Sequence, residues 1–157
     1  MQAIDQALIN LVLDEARRSP RQRKNFNFHD RDGHPCQRLL NAILPQSYIQ
    51  PHRHLDPDKE EMLVVLRGRL GLVFFDDAGR VVDTALLEAG GERLAASIPP
   101  GQFHTLVALD DGAVVFEAKA GPYLPLAPSE KASFAPAEAA QDTASYLNEL
   151  RKLFGAG

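Results

Sequence analysis

Residues 61–109 form a succession of short apolar runs, at 62–66, 70–75, 81–87 and 103–109, cut by Gly68, by Asp77-Ala78-Gly79 and by Gly90-Gly91. Runs of five to seven residues are too short for helices, and glycine-bearing breaks at this spacing predict a sandwich or barrel of short strands. Several runs are apolar at consecutive positions rather than at alternate ones. Both faces of those strands must then be covered, either by the chain's own terminal segments or by a second copy, so a homodimer is expected.

The flanking segments supply such covers. Residues 3–18 place Ile4, Leu8, Leu11 and Val12 at helical spacing and stop before Ser19-Pro20, which predicts an amphipathic helix outside the core. A polar connector follows through Asn25 and His34, then a strand over 36–44, a turn at Pro45-Gln46 and a second strand over 47–54. A proline- and alanine-rich strap runs from 124 to about 140. Residues 143–154 bring Tyr146, Leu147, Leu150, Leu153 and Phe154 onto one face of a closing helix ended by Gly155. One structural domain is expected, in three parts: 1–34 helix and connector, 35–123 barrel, 124–157 strap and helix. The chain of 157 residues, 45% hydrophobic and 24% charged, suits one core of that size.

Charge narrows the classes of partner. A formal charge of −4 argues against a nucleic-acid surface, which needs a basic stripe to neutralise phosphates. The basic run from Arg17 to Lys24 fits a helix C-terminus and a solvated connector. The lone Cys36 cannot form an internal disulfide, the N-terminal segment carries Asp5, Asp14 and Glu15 within its apolar pattern, and no segment has the length of a membrane span. Cytoplasmic residence with no membrane partner is the expectation.

Chemistry concentrates around the strand at 61–67. His52 and His54 stand two apart, so an extended backbone points both imidazoles the same way. Glu61 follows, and His104 returns behind Pro99-Pro100-Gly101. Three imidazoles and a carboxylate suit a divalent transition metal such as Fe, Mn, Ni, Co or Zn, and in an octahedral shell they leave two positions open. Glu60, Asp56 and Asp58 are the other carboxylates nearby. His29 and His34 are read as solvated or hydrogen-bonded histidines.

If Asp111-Gly112 is a two-residue hairpin turn in which Asp110 pairs with Ala113, then His104 lies opposite Lys119 and Leu106 opposite Glu117. That register turns Glu117 and Lys119 into the cavity of the metal ligands, where they could move a proton. A shift of one residue would instead leave them on a solvated face, with Val114 and Phe116 filling the core. Arg38 and Tyr48 are further candidates for contact with a substrate.

The pattern His52-Arg53-His54, Glu61, six residues, Gly68, followed by Pro99-Pro100-Gly101-Gln102-Phe103-His104, resembles the two motifs of the cupin superfamily. Two departures exist: the gap before Glu61 is long, and Ala108 stands where the second motif often has Asn. Within the cupins the chain resembles the WbuC family, through Arg38-Leu39-Leu40-Asn41-Ala42, Tyr48-Ile49-Gln50-Pro51-His52, Leu66-Arg67-Gly68-Arg69, Phe75-Asp76-Asp77 and the stretch 116–123. The resemblance implies a mainly β fold, one jelly-roll β-barrel with the terminal helices outside, holding a metal at His52, His54, Glu61 and His104. It also implies a setting in bacterial O-antigen polysaccharide biosynthesis.

Three functions fit these expectations. The first is a metal-dependent enzyme, isomerase- or epimerase-like, acting on a sugar or nucleotide-sugar, with Glu117 and Lys119 catalytic and Arg38, Tyr48, Gln50 and Gln102 binding the ligand. The second is an iron-dependent dioxygenase. The third is a carbohydrate-binding module without catalysis. Fold alone does not separate them.

Overall fold

The computed structural model describes residues 1–155. Of the expected closing segment 124–157, residues 156 and 157 lie outside the described residues. Among those described, eight strands and two helices form a two-sheet sandwich: α1 (Gln6–Arg18), β1 (Arg23–Asn27), β2 (Cys36–Ile43), β3 (Glu61–Arg67), β4 (Arg69–Phe75), β5 (Val81–Glu88), β6 (Ala95–Ile98), β7 (Phe103–Ala108), β8 (Ala113–Ala120) and α2 (Thr143–Lys152). One sheet has the order β1-β2-β8-β3-β6 and the other β5-β4-β7, and every neighbouring pair is antiparallel.

Three apolar layers follow from strands that bury both faces. Between the sheets, Ile43, Leu63, Val65, Leu70, Leu72, Leu87, Ile98 and Val115 form the central core. On the outer face of the larger sheet, Ile9, Val12, Leu13 and Ala16 of α1 pack on Leu40, Ala42 and Val114. Their spacing is that of one helical face, and Asp5 caps the helix by accepting the Leu8 N–H at 2.9 Å. On the outer face of the smaller sheet, Leu147 and Leu150 of α2 join Val73, Phe75 and Val107, with Ala132 and Ala135 of the strap. The terminal segments therefore cover the outer faces at β2, β4, β7 and β8, whereas Val81, Val82 and Leu86 of β5 stay exposed.

The structure departs from the sequence expectations at three places. β1 forms in the expected connector: Arg23, Lys24 and Asn25 are too polar for an apolar run, but their backbone pairs along β2 from Arg23 opposite Ile43 to Asn27 opposite Leu39. Residues 47–54 form no strand. Pro51 lacks an N–H, and the carbonyls of Tyr48 and Ile49 accept from the side chains of Arg23 and Thr105, so this segment hydrogen-bonds outside any ladder. Only His52 makes isolated bridges, to His104 and to Lys131.

The third departure is that β7 and β8 are not a hairpin. They belong to different sheets, and the chain crosses between sheets at 109–112. Arg69 clasps Asp110 at 2.7 Å at this crossing, and Gly112 lies so close to Leu13 that a Cβ there would stand 2.7 Å from its Cδ2. Glycine is needed here for close approach rather than for a hairpin turn.

Candidate metal centre

β3 starts at Glu61 and alternates buried and outward residues, so Glu61 and Leu63 face the interior while Met62 faces out. The same alternation turns Glu60 outward, where its carboxylate accepts from Ser97 Oγ. His104, the second residue of β7, lies across the gap between the sheets. Its backbone N–H donates to His52 O at 2.9 Å, and its carbonyl accepts from the His52 N–H at 3.0 Å, tying these two histidines together through the main chain. The ring centroids are 4.6 Å apart for His52 and His104, and 5.5 Å for His52 and His54.

Glu61 is the hub of the cluster. It is 3% exposed, with Oε1 3.1 Å from His54 Nε2 and Oε2 3.0 Å from His104 Nε2. The potential ligand atoms of His52, His54 and Glu61 all lie within 4.8 Å of one another, a set able to hold a metal ion. His104 lies outside that mutual set and reaches it through Glu61.

The donor set fits a metal on two counts. His52 Nδ1 lies 3.1 Å from Gln50 O and His104 Nδ1 lies 3.0 Å from Gln102 O. A carbonyl only accepts, so each Nδ1 carries the proton, and in the neutral ring Nε2 is a bare lone pair available for ligation. Without a metal, the 3.0 Å contact between His104 Nε2 and Glu61 Oε2 needs a proton between the two atoms, and a cation held by both would take that proton's place. Two donors each about 2.1 Å from one ion, at right angles, are about 3 Å apart, which matches the separations around Glu61.

Burial pushes the His52 imidazole down to about 3, reinforced by His104, so this ring is neutral at physiological pH, as a ligand must be. Burial alone would raise the Glu61 carboxyl. The polar contacts of His104 and His54, together with the Lys119 ammonium, prevail and hold it well below the usual carboxylate range.

Glu117 and Lys119 also face this interior, although the hairpin that predicted it does not exist. Their orientation comes from β3, where Glu61 is opposite Lys119 and Leu63 opposite Glu117. Lys119 Nζ donates to Glu61 Oε1 at 2.7 Å and to Glu117 Oε1 at 2.8 Å. Burial disfavours its charge, but the two carboxylates outweigh that and hold the ammonium above its ordinary value. Lys119 therefore keeps its proton and acts as a hydrogen-bond donor, not as a base.

The centre opens on a cavity of about 1200 Å³, lined by β1, β2, β3, β8 and the strap, with His52, His54, Glu61, His104, Glu117 and Lys119 along its wall. Of the four residues expected to contact a ligand, Gln50 lines this cavity, with Nε2 donating to Ala132 O. The other three do not line it. Arg38 has the opposite parity on β2 from the lining residues Gln37 and Asn41. Tyr48 packs edge-on to Tyr146 under the strap and donates its hydroxyl to Pro136 O at 2.7 Å. Gln102 Nε2 is held by the carbonyls of Phe75 and Phe103.

Sequence reasoning missed Lys59 and Asn41, which both line the cavity and are both about nine-tenths buried. Parity could have found Lys59, since it stands two residues before Glu61.

A family model described as a domain of unknown function, DUF6016, matches residues 4–87, a span from α1 to β5 that includes His52, His54 and Glu61. No curated protein matches the sequence. Among solved structures, the chain is similar to TT1209 from Thermus thermophilus (TM-score 0.53, 20% identity, 76% of this chain and 97% of that one). It is also similar to a recombinant oxalate oxidase in complex with glycolate (TM-score 0.51, 16% identity, 67% of this chain and 54% of that one), so it spans about half of that protein. A third is the conserved SPY1581 protein of unknown function from Streptococcus pyogenes (TM-score 0.50, 14% identity, 68% of this chain and 80% of that one). At these identities the likeness concerns the fold alone, a mainly β, cupin-like two-sheet domain with helices outside. No helix among the described residues is long and apolar enough to cross a membrane.

Proposed function

The chain belongs to the DUF6016 family, and we propose that it is a metal-binding cupin in which His52, His54, Glu61 and His104 hold one divalent transition metal at the wall of a small-molecule cavity. The observation that carries this reading is the position of Glu61, within 3.1 Å of the Nε2 atoms of both His54 and His104, while the Nδ1 protons of His52 and His104 are committed to backbone carbonyls. When bound, the metal would supply Lewis acidity, polarising a carbonyl or hydroxyl oxygen of the ligand.

The chain's own groups divide the remaining work. Lys119, protonated between two carboxylates, offers a hydrogen bond to a ligand oxygen or stabilises negative charge developing on it. Glu117, 8% exposed, is placed to accept or return a proton once a ligand displaces it from Lys119. Gln50 and Asn41 supply neutral hydrogen-bonding groups along the wall.

The substrate class is a sugar or nucleotide-sugar, in a role of the WbuC type within surface polysaccharide synthesis. Its support is the set of sequence runs that resemble that family, together with a cavity roomy enough for such a molecule.

The test is metal analysis of protein purified without chelator, followed by titration with candidate sugars. One equivalent of divalent metal, lost on replacing the four ligands, supports the reading. Oxygen consumption by the iron-loaded protein with any of these ligands would favour dioxygenase chemistry instead.

A further inference from the structure

The cavity wall carries six lysine and arginine residues against three glutamates, in a chain whose net charge is −4. Most of these cations have partners. Arg21 and Arg23 pair with Glu138, Lys24 with Glu15, and Lys119 with Glu61 and Glu117. Lys59 and Lys131 have no ion pair or side-chain hydrogen bond among the described residues.

Lys59 is the telling one, because it is only 8% exposed. Its ammonium opens onto the cavity and makes no ion pair or side-chain hydrogen bond, so an anionic ligand there would meet an unengaged charged donor. A turn places it there: the Lys59 N–H donates to Asp56 O at 3.0 Å, two residues before Glu61. Glu130 is close enough to feel the charge of Lys59, but its carboxylate oxygens accept from the backbone N–H groups of Leu55 and Ala127. Both lysines line the cavity beside the ligand cluster, Lys59 two residues before Glu61 and Lys131 bridged by its backbone to His52.

Charge balance points the same way. Glu61 and Glu117 are matched by Lys59 and Lys119, so a divalent ion would leave the interior two charges positive. We propose that Lys59, with Lys131 at the rim, binds an oxyanion, carboxylate or phosphate, on the ligand that reaches the metal. This rests on the metal-binding reading and adds the charge of the ligand to it. A neutral sugar would leave Lys59 unpaired, whereas an acidic or phosphorylated one would not.

The experiment uses the full chain loaded with Co²⁺, titrated calorimetrically with malonate, with inorganic phosphate and with the neutral malonamide, while metal content is measured on each sample. Malonate or phosphate should bind, and malonamide about tenfold or more weaker. Lys59→Met should weaken the anion about tenfold or more, the size of one charge-assisted hydrogen bond, and Lys59→Arg should retain most of the affinity. Lys59→Met should keep its full cobalt content and melt close to the parent without anion, because it removes no ion pair or side-chain hydrogen bond within the protein. Which anion binds distinguishes a carboxylate ligand from a phosphate one.

Equal affinity of Lys59→Met and parent for both anions, equal affinity for malonate and malonamide, or no binding of either anion would overturn the proposal. A parent protein that takes up no cobalt overturns the metal reading instead. The same titrations on metal-free protein then still decide the role of Lys59, with Lys59-dependent anion binding expected and its absence contradicting it.

Discussion

Lys119 stands directly opposite Glu61 in the ladder between β3 and β8, and its ammonium bridges Glu61 at 2.7 Å and Glu117 at 2.8 Å. A metal held by Glu61 would therefore share with Lys119 the work of compensating the same carboxylate.

Lys119→Met leaves two buried carboxylates uncompensated, and should destabilise the metal-free protein by about 3 kcal/mol in urea denaturation. Adding divalent metal should recover part of this loss, since the ion then carries the charge beside Glu61. Lys119→Met combined with Glu117→Gln should cost less than Lys119→Met alone.

The metal-free protein should lose stability on acidification through His52. Its folded-state pKa, about 3, lies below the ordinary 6.5, so between those values the unfolded chain binds a proton that the native one does not. That contribution is fully present above pH 6.5 and is lost as pH falls towards 3. Urea melts across this window should show the decline, and His52→Gln should flatten it.

The crossing between sheets makes a different demand. Gly68 joins β3 to β4 with a φ of +72°, and a Cβ there would stand 2.6 Å from Gly112 O. Gly68→Ala should destabilise the fold by about 2 kcal/mol or more, measured by chemical denaturation, because it combines left-handed strain with a clash against backbone. Metal stoichiometry of the folded fraction should remain unchanged.

The apolar runs of β3, β4, β5 and β7 were legible from their apolar residues, although only β4 and β7 bury both faces, while β3 alternates and β5 buries only Leu87; α1 and α2 were legible because their apolar stripes are regular. β1 was not, since its pairing with β2 rests on backbone groups that Arg23, Lys24 and Asn25 do not advertise. Parity carried the site further than topology did. Glu117 and Lys119 face the interior as expected, but through pairing with β3 rather than through a hairpin with β7. Asp111-Gly112 has hairpin chemistry, and only the contacts of Arg69 with Asp110 and of Gly112 with Leu13 show that the chain changes sheets there. Arg38 lies on the face of β2 away from the cavity, and Tyr48 and Gln102 are held by carbonyl partners that no local sequence reveals.

The central claim is that His52, His54, Glu61 and His104 hold one metal. Elemental analysis of the parent and of His52→Ala, His54→Ala, Glu61→Gln and His104→Ala, each shown to be folded by circular dichroism, tests it most directly. One equivalent of a divalent transition metal is expected in the parent, with loss of most or all of it in each folded variant. A folded parent that takes up no iron, manganese, cobalt, nickel or zinc, or variants that retain a full equivalent, would contradict it.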